Sequence, residues 1–174
     1  EKTLLALKWC HGEMEFRYKK LADAGVRDIT EYNKIKETEK IPFLVVLIDE
    51  LADLMTHSPK QAEEYIIKLS QMARAVGIHL VLSTQRPSKV VLPPMLRANI
   101  FTTMAFQVVS KKDSEKLLYM AGAETLRGTG DMLFSPLDKV KPIRIQAPNI
   151  EEVEISATAQ FITISVGRTM DRKI

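Results

Sequence analysis

Phe43-Leu-Val-Val-Leu-Ile48 runs directly into Asp49-Glu50. A continuous Val, Ile and Leu run reads as a strand buried on both faces, which is the habit of parallel sheets. Ligands of open α/β sheets sit at the carboxyl ends of such strands, and that is where the two acids fall. An apolar strand ending in paired carboxylates is how phosphate-hydrolysing enzymes hold magnesium and water, so the stretch reads as a Walker B strand. Asp49 would hold Mg²⁺ through water, and Glu50 would polarise the attacking water. A plainer reading stands beside this one. Asp is also a good helix N-cap and acids suit a helix N-terminus, so the pair could simply open the next helix.

The partner motif is absent from this sequence. A P-loop, G-x-x-x-x-G-K-[ST], uses glycine amides to cradle phosphates and Lys to reach the β- and γ-oxygens. None of Gly12, Gly25, Gly77, Gly122, Gly128, Gly130 and Gly167 is followed by Lys. The expectation is therefore a partial domain whose phosphate cradle lies in a preceding part of a longer parent chain, or else a degenerate relative. By itself the chain is not expected to bind a nucleoside triphosphate well.

Composition bounds the remaining classes. A chain of 174 residues, 45% hydrophobic, can bury one core, so a single domain is expected over 1–174. The net charge of +3 permits contact with nucleic acid without requiring it. The single cysteine, Cys10, excludes an internal disulfide and fits a reducing, cytosolic compartment. No Cys/His spacing resembles a metal site. The longest apolar stretch is far short of the roughly 20 residues of a membrane span, so direct membrane contact by this segment is not expected. The charged, helix-patterned start does not read as a signal peptide.

Strand and helix signals alternate along the chain, which argues for a parallel α/β sheet flanked by helices. Lys2 to Ala24 reads as an amphipathic helix stopped by Gly25. Arg27 to Lys40 reads as a short helix and a charged linker. A helix opening at Ser58-Pro59 is expected to continue through Val76, and Ile78 to Ser83 reads as a second buried strand. A proline-rich loop follows, and Ile100 to Val109 reads as a third strand. Ser110 to Asp113 has capping-box form, with Gly122 expected to close the helix. Residues Gly130 to Phe134 and Val140 to Ile145 read as a C-terminal β-hairpin, and Glu151 to Phe161 as a last helix. His79 reads as a packed residue rather than a catalyst.

Several of these segments together resemble one family. They are Leu44-Val-Val-Leu-Ile-Asp-Glu-Leu-Ala-Asp-Leu-Met55, Ala73-Arg-Ala-Val-Gly-Ile-His-Leu-Val-Leu-Ser-Thr-Gln-Arg-Pro87, Ala121-Gly-Ala-Glu124 and Gly128-Thr-Gly-Asp-Met-Leu133. Trp9, Met14 to Tyr18 and Gly25 to Asn33 agree too. In order and spacing they resemble the motor domain of the FtsK/SpoIIIE DNA translocases, over about residues 2–150, with 151–174 as a C-terminal extension. The resemblance implies a RecA-like P-loop core and hexameric rings that spend ATP, with Mg²⁺, on pulling double-stranded DNA in chromosome segregation and cell division.

It also implies roles for residues. Asp49 and Glu50 would be the Walker B pair and Gln85 the polar sensor of the γ-phosphate. Arg74 would be a finger on the neighbouring subunit's nucleotide, since a planar cation suits charge spread over a transferring phosphoryl group. Arg86, Ser88, Lys89 and Arg97 would face DNA phosphates. The segment would work on the cytoplasmic face, with the full-length protein anchored in the bacterial inner membrane. Thr103 and Glu115 stand where the family usually carries Arg, and 155–174 fits poorly. Those departures, with the missing P-loop, keep open an ATPase-dead accessory or DNA-binding module of a ring motor; a further alternative keeps the motor and changes the cargo, as in a related secretion or conjugation ring ATPase.

Overall fold

A computed structural model describes residues 2–35 and 37–166. Lys36, within the charged linker, and 167–174, the end of the C-terminal extension, lie outside the described residues. The chain forms two compact units that divide between Phe101 and Thr102.

The first unit is an α/β layer. Helix α1 (Lys2–Asp23) buries Leu7, Cys10, Met14, Arg17 and Leu21 on one face, as the roughly helical spacing of its apolar residues requires. Short α2 (Ile29–Tyr32) starts at Asp28, whose carboxylate accepts from the Thr30 and Glu31 amides. Strand β1 (Leu44–Ile48) leads into α3 (Leu51–His57) and α4 (Pro59–Met72). A turn at Ala73 to Gly77 feeds β2 (Ile78–Leu82), and α5 (Pro94–Ala98) follows a loop. The expected helix through Val76 thus ends at Met72, because the chain must turn to enter β2. Its largest fully buried side chains include Leu7, Met14, Leu51, Met55, Ile66, Leu69 and Leu96.

Strands β1 and β2 are parallel, in a register running from Leu44 opposite Ile78 to Ile48 opposite Leu82. A parallel pair joined through helices is the expected α/β arrangement. The reading of a strand buried on both faces needs correction. Burial alternates along both strands, and Val45 pairs with His79 and Leu47 with Val81 on an uncovered face. Leu47 is 72% exposed and Val45 53%. His79 is exposed and stacks on Phe43, centroids 5.8 Å apart, instead of lying packed in a core.

The second unit holds β3 (Thr103–Ala105), α6 (Lys111–Leu118), β4 (Asp131–Ser135), β5 (Ile143–Gln146) and α7 (Glu152–Val166). The third strand is shorter than 100–109 and pairs antiparallel with β4, so it belongs to a second sheet of order β3-β4-β5. The expected hairpin is present as β4-β5, with Asp131 opposite Gln146. Ser110 caps α6 by accepting from the Asp113 amide, but the helix ends at Tyr119, in the left-handed region at φ 60°, and not at Gly122. Ala105, Leu118, Ala123 and Leu126 form a small core. Helix α7 runs past Phe161, and its described side chains are exposed.

Candidate functional site at the carboxyl ends of the parallel strands

The two parallel strands end side by side, and each continues into polar residues. The ladder extends one step beyond them. The Ser83 amide donates to the Ile48 carbonyl at 2.8 Å, and the Leu51 amide donates to the Ser83 carbonyl at 2.8 Å. That pairing sets Glu50 beside Thr84 and Gln85, although 34 residues of chain separate Glu50 from Thr84.

Glu50 is the N-cap of α3, its extended backbone (φ −129°, ψ 98°) leaving the side chain to accept from the Ala52 amide at 2.9 Å. The same oxygen, Oε1, accepts from Thr84 Oγ1 at 2.6 Å, and Oε2 accepts from the Gln85 amide at 3.1 Å. The Thr84 hydroxyl, then the Gln85 and Ala52 amides, hold the Glu50 carboxyl below the usual glutamate range. Glu50 is therefore the cap of α3, as the plainer reading expected, and the same carboxylate also accepts from the residues that follow β2. Asp49 is exposed at the strand end.

Of the residues singled out in the sequence, the fold brings Asp49, Glu50 and Gln85 together. Gln85 reaches Glu50 through its backbone amide, while its side chain is exposed. Thr84 belongs with them and was not singled out. The signal was present as a hydroxyl two residues beyond a strand, but its partner depends on the register of β1 against β2. Arg74 does not join them. It is exposed in the turn before β2, at the opposite end of a strand of five residues, or about 16 Å at about 3.3 Å per residue.

The loop after β2 carries the remaining cations. The Arg86 amide donates to Thr84 Oγ1 at 3.1 Å, and the Arg86 and Lys89 side chains are exposed. Ser88 is engaged locally, its hydroxyl accepting from the Val91 amide and its carbonyl from the Leu92 amide. Arg97 is half-buried in the last turn of α5.

The donor set fits part of a nucleotide–magnesium site. A hard oxygen ligand such as Asp49 suits Mg²⁺, which keeps water and phosphate oxygens about it. Among the described residues no cluster of three or more His, Cys, Asp or Glu could hold a metal. A groove lined by Trp9, Phe16, Arg17 and Phe43 opens near the start of β1, at the other end of the strand from the acids.

The profile of the FtsK/SpoIIIE family matches residues 1–89, which include α1, both parallel strands and the Asp49-Glu50 pair. The chain belongs to the FtsK/SpoIIIE family. Over 162 residues it is 49% identical to a DNA translocase FtsK of Caldanaerobacter subterraneus subsp. tengcongensis, covering 93% of this chain and 23% of that protein. It is 47% identical over 161 residues to the DNA translocase SftA of Bacillus subtilis, covering 90% of this chain and 17% of that one. This FtsK/SpoIIIE chain thus spans about a fifth of the relatives it matches. Among solved structures, the pCW3 conjugation coupling protein TcpA, in its monomer form with ATPγS, superimposes with a TM-score of 0.83 at 26% identity, covering 92% of this chain and 48% of that one. The match supports an α/β P-loop ATPase core, present here in part. No helix among the described residues is long and apolar enough to cross a membrane.

Proposed function

We propose that this chain is part of the motor of an ATP-driven double-stranded DNA translocase, with the phosphate cradle contributed by another part of the parent protein. The observation that carries the reading is the meeting of Asp49, Glu50, Thr84 and Gln85 at the carboxyl ends of adjacent parallel strands, in a chain of this family. Its relatives are named DNA translocases. Bound ATP and Mg²⁺ would supply the phosphoryl bond and neutralise its charge. Asp49 would hold the metal through water and Glu50 would orient and polarise the attacking water. Gln85 would report on the γ-phosphate, and Arg74 would act on a neighbouring subunit's nucleotide in a hexameric ring. Arg86, Ser88, Lys89 and Arg97 would lie along the DNA path, giving affinity through phosphates without reading sequence. The complete protein would work at the cytoplasmic face of the bacterial inner membrane, in chromosome partition and cell division.

The bare face of Phe43, Val45, Leu47 and Val81 supports the partial-domain reading, because parallel sheets are covered on both faces. In the complete protein the strand-and-helix unit bearing the phosphate cradle would cover it.

The deciving experiment uses the complete protein with Glu50→Gln. ATP binding is expected to persist while turnover and DNA movement are lost; retained turnover would remove Glu50 from the catalytic role. The likeness to TcpA favours a second reading, in which the same motor serves conjugative transfer. Loss of chromosome partition, with conjugation intact, on deleting the gene would favour the first.

A further inference from the structure

We propose that Thr84 is a positioning residue for Glu50, and that the turn Thr84-Gln85-Arg86 carries the state of the following loop to that carboxylate. The inference deepens the translocase reading and rests on it.

Both oxygens of Glu50 are engaged. Oε1 accepts from Thr84 Oγ1 at 2.6 Å and from the Ala52 amide at 2.9 Å, and Oε2 accepts from the Gln85 amide at 3.1 Å. Only the Ala52 bond belongs to the helix cap. The other two come from the far strand, so the carboxylate is turned toward β2. A hydroxyl has one proton and two lone pairs. Thr84 commits its proton to Glu50 and accepts from the Arg86 amide at 3.1 Å. The result is a relay from the Arg86 N–H through the Thr84 hydroxyl to Glu50 Oε1.

Arg86 opens the loop that bears the exposed Lys89. Pro87 fixes its own φ, and Ser88 ties the next residues into a turn through its bonds from Val91 and Leu92. Displacement of that turn is therefore passed to Arg86 rather than absorbed within the loop. With the loop as seen here, the relay is closed and Glu50 is restrained. Moving Arg86 withdraws the donor from Thr84, lets the hydroxyl turn away and releases the carboxylate toward the water it must orient. Cargo held by the loop would thus license hydrolysis.

The test compares wild type, Thr84→Val and Thr84→Ser in the complete protein. Val keeps the shape and removes the hydroxyl; Ser keeps the hydroxyl. The kcat and KM for ATP are measured with and without linear double-stranded DNA, and amide hydrogen exchange over 84–87 is followed without nucleotide. Thr84→Val is expected to raise the DNA-free kcat by roughly an order of magnitude, the scale of one hydrogen bond to a charged group, with KM unchanged. The DNA-stimulated rate changes little, so stimulation falls, and the Gln85 amide exchanges faster. Thr84→Ser keeps the wild-type stimulation and exchange. An unchanged or lowered DNA-free kcat in Thr84→Val, with wild-type exchange at Gln85, overturns the proposal while leaving the translocase reading intact. A wild-type protein without DNA-stimulated hydrolysis overturns the translocase reading and the coupling to DNA, and the exchange comparison then separately decides whether Thr84 restrains Glu50.

Discussion

The Arg17 guanidinium donates to the Val76 carbonyl at 3.0 Å and, from the same nitrogen, to the Pro42 carbonyl at 2.9 Å. One side chain of α1 thereby holds the segments that enter both parallel strands. Its Nε donates to Glu13 at 2.7 Å, one helical turn back, and the residue is 4% exposed. Arg17→Met would leave two carbonyls and a carboxylate without their donor. The expected loss is about 3 kcal/mol, the range for breaking a buried charged network. It is read as a lower urea midpoint at unchanged slope; a wild-type midpoint would show that water replaces the guanidinium at no cost.

Gly77 links the turn after α4 to β2 at φ +73°, and an added Cβ would fall 2.5 Å from Ile29 Cδ1 and 3.0 Å from Phe43 Cδ1. Left-handed backbone costs an L-residue about 1–2 kcal/mol, and overpacking adds about 1–3. Gly77→Ala is therefore expected to destabilise by about 2–5 kcal/mol in thermal or urea unfolding. Equal stability would mean that Ile29 moves aside and the backbone relaxes.

In the second unit Asp131 accepts from Arg144 Nε at 2.8 Å and Nη2 at 2.6 Å, and from the Arg127 amide at 2.8 Å. The Arg144 fork, then the Arg127 amide, holds the Asp131 carboxyl at about 2, against an ordinary 3.8. Because the folded value is the lower one, the unfolded chain binds the proton first. The contribution to stability is complete above the unfolded value and is lost as pH falls from 3.8 toward 2. The acid limb of a urea-midpoint profile should flatten in Arg144→Gln. A profile identical to wild type would show that the pair leaves folding unaffected.

Arg74 and Glu50 lie at opposite ends of the strand pair, which suits the proposed role of Arg74 on a neighbouring subunit's nucleotide. In the complete protein Arg74→Ala is expected to cut ATP turnover by about 10³-fold or more, the range for an arginine finger, with nucleotide affinity kept. Mixing Arg74→Ala with Glu50→Gln subunits should restore partial turnover, since some interfaces then carry both groups. Absence of any recovery would argue against a role across the subunit boundary.

Much of this was legible where the information is local. The Val, Ile and Leu run before two acids, the Ser110 cap and the β4-β5 hairpin all depend on residues within a few positions of one another, and each is found. The third strand was misplaced because Ile100 to Val109 carries an apolar pattern without saying which sheet it joins. Gly122 looked like a helix stop, but Tyr119 takes the left-handed turn first. The uncovered sheet face could not be read either, since an apolar run looks the same whether its covering layer belongs to this segment or to another.

By itself the sequence determined the order of strands and helices apart from the short helices α3 and α5, the placing of Asp49 and Glu50 at a strand end, and the family. Only the tertiary structure decided that Thr84 and Gln85 face Glu50, that Arg17 ties α1 to both strand entrances, and that Arg74 stands apart. The physical reason is distance along the chain. Caps and turns close over three or four residues, so their spacing is written locally. The Glu50–Thr84 bond spans 34 residues and exists because β1 and β2 are parallel with Ile48 opposite Leu82.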